Sequence, residues 1–180
     1  MGTTLVLGGA RSGKTAVAEQ IAARTAKQLQ ASVTYVATAQ RSDAEMAERI
    51  ARHRTLRPAS WTTVEEPLHV ADWLAKAPPG VVLVDCLSLL LNNWMFLESA
   101  SDAQLSARID ELTAALRAFR GEVVIVSNEV GHGIVPADAL SRRYRDWLGW
   151  FNQAVAAASA QVYFVVAGIA VDVRKWQAQW

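Results

Sequence analysis

The stretch LVLGGARSGKT, residues 5–15, decides the fold of this chain of 180 residues. Gly8, four further residues, Gly13, Lys14 and Thr15 complete the pattern of a phosphate-binding P-loop. The pattern follows a predicted strand and opens a predicted helix, which is the setting that makes such a match informative. Backbone N–H groups at a helix start attract anions, and glycines let the backbone come close to them. The stretch therefore predicts a nucleoside triphosphate site in an α/β fold.

Each part of this loop has an expected role. Lys14 brings a positive charge to the outer phosphates, and Thr15 supplies a hydroxyl for Mg²⁺. The alternative is a glycine-rich turn that joins a strand to a helix without binding anything. The loop residues expected to contact the nucleotide are Gly8, Gly9, Ala10, Arg11, Ser12, Gly13, Lys14 and Thr15.

Apolar runs and helical patterns alternate along the chain. The runs are nearly continuous rather than alternating, as expected of strands that are buried on both faces. Helical patterns begin at Lys14 and Asp43 and cover residues 103–119 and roughly 139–158. This alternation predicts a mainly parallel sheet flanked by helices on both faces. The predicted strands are residues 4–7, 33–37, 81–84, 123–127 and 162–166.

Length and composition favour one domain, residues 1–180, with a substantial apolar core. The net charge is +1 and no run of Lys and Arg stands out, so nucleic acid is not an expected partner. The longest apolar stretch, residues 81–97, contains Asp85 and two asparagines, so no membrane span is expected. One cysteine, Cys86, and the absence of a secretory-signal pattern lead us to expect a cytoplasmic protein.

Polar residues follow several predicted strands. Asp85 ends the third strand, in VVLVDCL, and is expected to help Thr15 hold Mg²⁺. The alternative is a buried structural Asp that caps the next segment. Further polar residues are expected at the same edge, where α/β sheets bind ligands: Thr38 and Gln40 after the second strand, and Asn128 and Glu129 after the fourth. The stretch SNEVG stands where a GTPase would carry its guanine-recognition motif, Asn-Lys-x-Asp. A GTPase switch is therefore not expected.

The segment after Arg41 is predicted to form a helix that carries a histidine. Ser42 and Glu45 have the spacing of a capping box, and His53 shares a face with Glu45. A single histidine on a helix is more often a surface or core residue, whereas three arginines beside it suit a triphosphate. Those arginines are Arg52, Arg54 and Arg57.

With these motifs in place, the sequence resembles the bifunctional adenosylcobinamide kinase and adenosylcobinamide-phosphate guanylyltransferase family of cobalamin biosynthesis. The resemblance runs nearly end to end and follows the family's order of motifs. The segments that carry it are GGARSGKT, YVATAQ, AERIARHRTLRPASWTTVEEP, VLVDCLSLLLNN, SNEVGHGIVP, RRYRDWLGWFNQ and VVAGIAVDVRK.

The resemblance implies two reactions at one nucleotide site. ATP or GTP phosphorylates the aminopropanol hydroxyl of adenosylcobinamide. GTP then loses pyrophosphate to leave GMP on a histidine, which passes it to adenosylcobinamide phosphate to give adenosylcobinamide-GDP. The family is similar in fold to RecA-like P-loop proteins and forms homotrimers, with the site shared between subunits.

The resemblance also assigns residues. By similarity, His53 in RHRTLRP is the histidine that carries GMP. The other residues that border the nucleotide by similarity are Ala37, Thr38, Ala39, Arg54, Thr55, Leu56, Arg57, Glu65 and Asp85.

Two other functions fit parts of the sequence. A P-loop small-molecule kinase without guanylyl transfer would need no covalent intermediate, so the histidine distinguishes it. A RecA-like regulatory module would bind nucleotide to drive assembly and show no acceptor-dependent turnover.

Several further residues have no assigned role. His69 is expected on a helix side, and His132 stands where the family often has an apolar residue. The basic cluster after Ser141 is either a solvated helix face or a contact for an anionic substrate or a neighbouring subunit. That cluster is Arg142, Arg143 and Arg145. The late tryptophans, expected in the core or at subunit contacts, are Trp147, Trp150, Trp176 and Trp180.

Overall fold

A computed structural model describes residues 2–40 and 58–179, and these contain one seven-stranded sheet with helices on both faces. The strands are β1 (Gly2–Gly8), β2 (Val33–Ala37), β3 (Thr62–Glu65), β4 (Val81–Asp85), β5 (Glu122–Asn128), β6 (Gln161–Val166) and β7 (Ile169–Asp172). The helices are α1 (Lys14–Leu29), α2 (Val70–Lys76), α3 (Leu87–Phe96), α4 (Asp102–Ala118) and α5 (Ala139–Ala157), with a 3₁₀ turn at Val173–Trp176.

The sheet is mainly parallel. Its strand order is β3-β2-β4-β5-β1-β6-β7, and only the last pair, β6 and β7, is antiparallel. Strand β5 lies between the P-loop strand β1 and the strand β4 that ends at Asp85. The predicted fold class, a mainly parallel α/β sheet of the P-loop type, is confirmed.

Alternate residues of the central strands enter two different cores. Leu5 packs in the cluster on the side of helices α2 to α5, whereas its neighbour Val6 packs against the small face of α1. The buried face of α1 consists of alanines, Ala18, Ala22 and Ala26, so the helix lies close to the sheet. Both faces of the central strands are therefore buried, which explains their continuous apolar sequences.

All five predicted strands are present, and two of the predicted helices, here α4 and α5, begin and end within one residue of the predicted positions. The strands β3 and β7 were not predicted, because both are edge strands with partly or fully exposed residues. Helix α3 was also missed, because apolar residues surround it and leave no polar stripe. The helix predicted from Ser42 lies outside the described residues.

The late tryptophans differ from one another. Trp147 packs against the core, but Trp150 and Trp176 are 54% and 83% exposed, so a core position is wrong for these two. Trp150 faces outward from α5, and Trp176 lies on the short 3₁₀ turn after the edge strand. Their alternative role at subunit contacts stays a prediction, and Trp180 lies outside the described residues.

No helix within the described ranges is long and apolar enough to cross a lipid bilayer.

Candidate nucleotide-binding site

The P-loop joins the end of β1 at Gly8 to the start of α1 at Lys14. Its backbone uses left-handed conformations at Arg11, with φ 56°, and at Gly13, with φ 92°. Gly13 is the N-cap of α1 and provides no side-chain cap. The first amides of α1 are thus not capped by the N-cap side chain, and a helix start of this kind favours an anion.

The surroundings of a side chain would differ between two glycines of the loop, Gly8 and Gly9. A Cβ on Gly8 would lie 2.5 Å from Ser12 Oγ and 2.7 Å from the carbonyl oxygen of Val165, so no side chain fits there. A Cβ on Gly9 would meet nothing within 4 Å and would project into open space. Packing therefore demands Gly8, whereas the space beside Gly9 is open, as close approach of a phosphate to the backbone requires.

The side chain of Lys14 lies along the loop. Its Nζ donates a hydrogen bond to the carbonyl oxygen of Gly9 at 3.0 Å. The ammonium is therefore held against the loop, and its contact with the phosphates stays a prediction.

Asp85 is the last residue of β4, and its Cα pairs with that of Ala37 in β2. Its carboxylate Oδ2 accepts a hydrogen bond of 2.5 Å from the hydroxyl of Tyr35, a residue of β2 that is only 2% exposed. The following helix, α3, has Cys86 as its N-cap and no side-chain cap. The alternative in which Asp85 caps that helix is therefore not supported.

The carboxyl ends of six parallel strands meet along one edge of the sheet. Five of these strands, β1 to β5, end at a residue that was predicted to be at or near the site. Register places Gly8 beside Asn128, and Ala37 beside both Asp85 and Glu65. The structure thus brings together the P-loop and the predicted strand-end residues. The backbone N–H of Glu129 donates a hydrogen bond to the carbonyl oxygen of Gly8 at 3.1 Å.

Thr38 follows β2 and joins it to the end of β4. Its hydroxyl donates to the carbonyl of Cys86 at 2.8 Å and accepts from the Cys86 N–H at 2.7 Å. The amide of Asn93 in α3 then donates to the carbonyls of Thr38 and Pro67, each at 2.9 Å. Thr38 is fully buried, so its side chain supports the edge of the site from within, while contact with a nucleotide stays a prediction.

A buried polar network supports the same edge and was not predicted. Asn128 donates to Ser88 Oγ at 2.9 Å, and its carbonyl accepts from Asn152 Nδ2 at 3.0 Å. Ser127 donates to the other end of Asn152 at 2.6 Å. The thiol of Cys86 lies 2.9 Å from Ser88 Oγ, and its burial raises its pKa to about 11, so it is neutral at pH 7. These contacts join three elements and become visible only when the strand order is known.

His53, Arg54, Thr55, Leu56 and Arg57 are outside the described residues.

His69 lies at the N-cap of α2 rather than on a helix side, and His132 packs near Phe164 with ring centroids 6.0 Å apart. Neither of these histidines gains a role from its position.

The basic cluster makes contacts within the chain. Arg142 donates to the carbonyls of Pro136 and Ala137 at 2.9 and 2.6 Å. Arg143 binds the carboxylate of Asp102 at 2.8 Å and, by its hydrogen bond, lowers the pKa of that carboxyl. A purely solvated face is therefore wrong for these two arginines, because both hold the start of α5 against neighbouring segments.

The residues at this edge suit Mg²⁺. The hydroxyl of Thr15 and the carboxylate of Asp85 are hard oxygen ligands, and Mg²⁺ commonly uses only one or two protein carboxylates beside substrate phosphates and waters. Within residues 2–40 and 58–179, no group of three or more His, Cys, Asp or Glu could form a metal site by itself. A site shared with the triphosphate is the arrangement that these residues fit.

The fold and the loop together define a P-loop nucleotide-binding protein. A family model described as cobinamide kinase / cobinamide phosphate guanyltransferase matches residues 4–173. The chain therefore belongs to this family, as the sequence motifs predicted, and it is an enzyme of the kinase and guanylyltransferase class.

Relatives with similar names match nearly the whole chain. The bifunctional adenosylcobalamin biosynthesis protein CobP of Pseudomonas aeruginosa is 44% identical over 172 residues, which cover 94% of this chain and 96% of the relative. The corresponding CobU proteins of Escherichia coli and Salmonella typhimurium are 40% and 38% identical, each covering 94% of this chain and 98% of the relative.

A solved structure also superimposes on the chain. It is a KaiC-like protein from Pyrococcus horikoshii, with a TM-score of 0.49 and 13% identity over 91% of this chain and 70% of the other. Nothing about function follows from this likeness.

Proposed function

We propose that this protein catalyses two successive transfers to a corrinoid. ATP or GTP phosphorylates adenosylcobinamide, and GMP from GTP is then transferred to adenosylcobinamide phosphate, giving adenosylcobinamide-GDP and pyrophosphate. The family match over residues 4–173 carries the proposal, and the P-loop at the carboxyl edge of the sheet supports it. We also propose that residues 1–180 form a single domain and that the enzyme is a cytoplasmic homotrimer.

The kinase step needs no protein nucleophile. The hydroxyl oxygen of the aminopropanol arm attacks the γ-phosphorus, and the bond from that phosphorus to the β,γ-bridging oxygen breaks. The nucleoside diphosphate leaves with the electron pair, and the hydroxyl proton passes to solvent. Loop amides and Lys14 hold the triphosphate, because positioning and charge stabilisation dominate phosphoryl transfer.

The guanylyl step uses a histidine, His53, whose role rests on the resemblance. A neutral imidazole is available at pH 7 and needs no prior deprotonation to act as a nucleophile. A bond forms from its nitrogen to the α-phosphorus of GTP while the bond to pyrophosphate breaks. A phosphate oxygen of adenosylcobinamide phosphate then attacks the same phosphorus, and the phosphorus–nitrogen bond breaks to release the histidine.

Thr15 and Asp85 are the residues proposed to hold Mg²⁺. When bound, Mg²⁺ neutralises charge on the phosphate oxygens. The residues proposed to border the nucleotide are Gly8, Gly9, Ala10, Arg11, Ser12, Gly13, Lys14, Thr15, Ala37, Thr38, Ala39, Arg54, Thr55, Leu56, Arg57, Glu65 and Asp85.

One assay tests the proposal. Purified protein is incubated with adenosylcobinamide, Mg²⁺ and either ATP or GTP, and the corrinoid products are separated and identified by mass. We expect phosphorylated corrinoid with ATP, and the further addition of GMP when GTP is present. Phosphorylation that never proceeds to GMP transfer would indicate a small-molecule kinase. Nucleotide binding without any corrinoid product would indicate a regulatory module.

A further inference from the structure

The turn between β6 and β7 lies against the outer side of the P-loop. The backbone N–H of Gly168 donates to the carbonyl oxygen of Ser12 at 2.8 Å. A Cβ on Gly13 would lie only 3.1 Å from the Cα of Gly168, so the two backbones approach as closely as glycines allow. Two segments from opposite ends of the sequence are thus in direct backbone contact at the phosphate loop.

The shape of the turn leaves the Gly168 amide free to make this contact. Val166 and Ile169 pair across the hairpin, so the link is only two residues long. Ala167 and Gly168 have φ values of 50° and 79°, and two positive φ values in such a link are typical of a type I′ turn. Because the ladder uses the N–H and C=O groups of the flanking residues, the amide of the second turn residue can serve an acceptor outside the hairpin.

The turn is also strained. Ala167 adopts a left-handed conformation that residues with a Cβ disfavour, and the usual I′ sequences place Asn, Asp or Gly there. Such outliers persist where surrounding contacts enforce them, and they are often found at functional sites. The contact with Ser12 is one such enforcing contact.

The bond from Gly168 has a direct consequence for the loop amides. The Ser12 carbonyl and the Gly13 N–H belong to the same peptide unit, and in a trans peptide these two groups point in opposite directions. Since the Ser12 carbonyl points toward Gly168, the Gly13 N–H points away from the turn, to the side on which the phosphates are proposed to bind. The side chain of Ser12 is buried and cannot take over this task, since its hydroxyl has no hydrogen-bond partner within the described chain.

We propose that the Gly168 amide is a positioning group for the phosphate cradle, which orients the Ser12–Gly13 peptide before a triphosphate binds. This inference rests on the proposed nucleotide site but not on the corrinoid chemistry. Preorganised N–H donors bind anions more tightly than donors that must first be ordered. Disturbing the turn should therefore weaken triphosphate binding in particular.

The test replaces Gly168 and measures nucleotide binding directly. Gly168→Val places a β-branched residue at a φ of 79°, so the turn must change its backbone and redirect the amide. A Cβ at Gly168 meets nothing within 4 Å, so the first atom of the new side chain creates no clash. The matched control is Gln30→Val at the far end of α1, where a positive φ of 51° imposes a similar strain away from the loop.

We expect calorimetric titration to show a Kd for GTP about tenfold higher in Gly168→Val, which corresponds to the loss of one well-placed hydrogen bond. In steady-state assays, KM for the triphosphate should rise while KM for the corrinoid stays the same. Gln30→Val should lose stability but keep its GTP affinity.

The proposal fails if folded Gly168→Val binds GTP within about twofold of wild type, or if Gln30→Val weakens GTP binding equally. If Gly168→Val does not fold, Gly168→Ala decides, with a smaller rise in Kd expected and an unchanged Kd counting against the proposal. A protein that binds GTP normally but never modifies a corrinoid would contradict the proposed function and leave this test intact.

Discussion

The hydrogen bond from Tyr35 to Asp85 allows a quantitative test of what orients the Asp85 carboxylate, which is proposed to hold Mg²⁺. The perturbation is Tyr35→Phe, which removes the hydroxyl that donates to Asp85 Oδ2 at 2.5 Å and keeps the buried ring. A hydrogen bond to a charged group contributes about 1.5–3 kcal/mol, whereas a neutral one contributes about 0.5–1.5 kcal/mol. In an Asp85→Asn background the same change should therefore cost about 1 kcal/mol less.

The assay is a double-mutant cycle on the free energy of unfolding in urea or guanidinium chloride. We expect Tyr35→Phe to destabilise the protein by about 1.5–3 kcal/mol and the cycle to give a coupling energy of about 1 kcal/mol. Tyr163→Phe in β6 is the control, since Tyr163 is a partly buried tyrosine on a strand that is separated from β4 by β5 and β1. Its effect should stay within about 0.5 kcal/mol of wild type.

A coupling energy below about 0.3 kcal/mol would contradict an interaction between Tyr35 and the Asp85 carboxylate, since the destabilising effects of two independent substitutions add within that margin. It would mean that Tyr35 supports β2 by packing alone and that Asp85 is oriented by other contacts.

Three further variants test separate parts of the site and fold. Lys14→Ala should reduce both corrinoid phosphorylation and GMP transfer by at least about 100-fold, since one cradle serves both reactions; loss of only one would indicate two nucleotide sites. Asp85→Asn should lower Mg²⁺-dependent turnover by about 100-fold or more while circular dichroism stays native, and near-normal rates would remove Asp85 from the metal shell. Asp102→Asn should be less stable than wild type at pH 7, because the hydrogen bond from Arg143 lowers the pKa of the Asp102 carboxyl below its usual range. That stabilisation is present above the unfolded pKa and is lost as pH falls through the lowered pKa, so a stability difference that does not shrink on acidification would contradict it.

The parts of the fold that followed from sequence are those governed by local rules. The P-loop pattern placed the turn from β1 to α1, and continuous apolar runs placed the five buried strands. The edge strands β3 and β7 have no such run, because one or both of their faces meet solvent. Helix α3 is buried around its circumference, so periodicity could not distinguish it from an extended apolar segment.

The candidate site likewise contains residues that the sequence predicted and residues that it did not. Lys14, Thr15 and Asp85 were predicted because each belongs to a motif within a short segment. Tyr35 reaches Asp85, and Gly168 reaches Ser12, across strands that are distant in sequence. These contacts depend on strand order and register, which a single sequence does not encode locally. One signal was available for Tyr35: it stands two residues before the end of a predicted strand and so shares a face with the strand-end residue.

Transfer of GMP through a histidine is tested most directly by covalent labelling of the protein in the absence of a corrinoid. Protein is incubated with Mg²⁺ and GTP labelled on either the α- or the γ-phosphate, then denatured and separated from free nucleotide. Wild type should retain one GMP per site from the α label and nothing from the γ label, because pyrophosphate leaves. The bond should be labile in acid and stable in alkali, as expected of a phosphoramidate.

The deciding comparison is with His53→Ala. This variant should form no adduct and transfer no GMP, yet it should keep much of its kinase activity, since attack on the γ-phosphorus needs no protein nucleophile. An α-label adduct that persists in His53→Ala would contradict the assignment of His53, and the absence of any adduct in active wild type would contradict the covalent route.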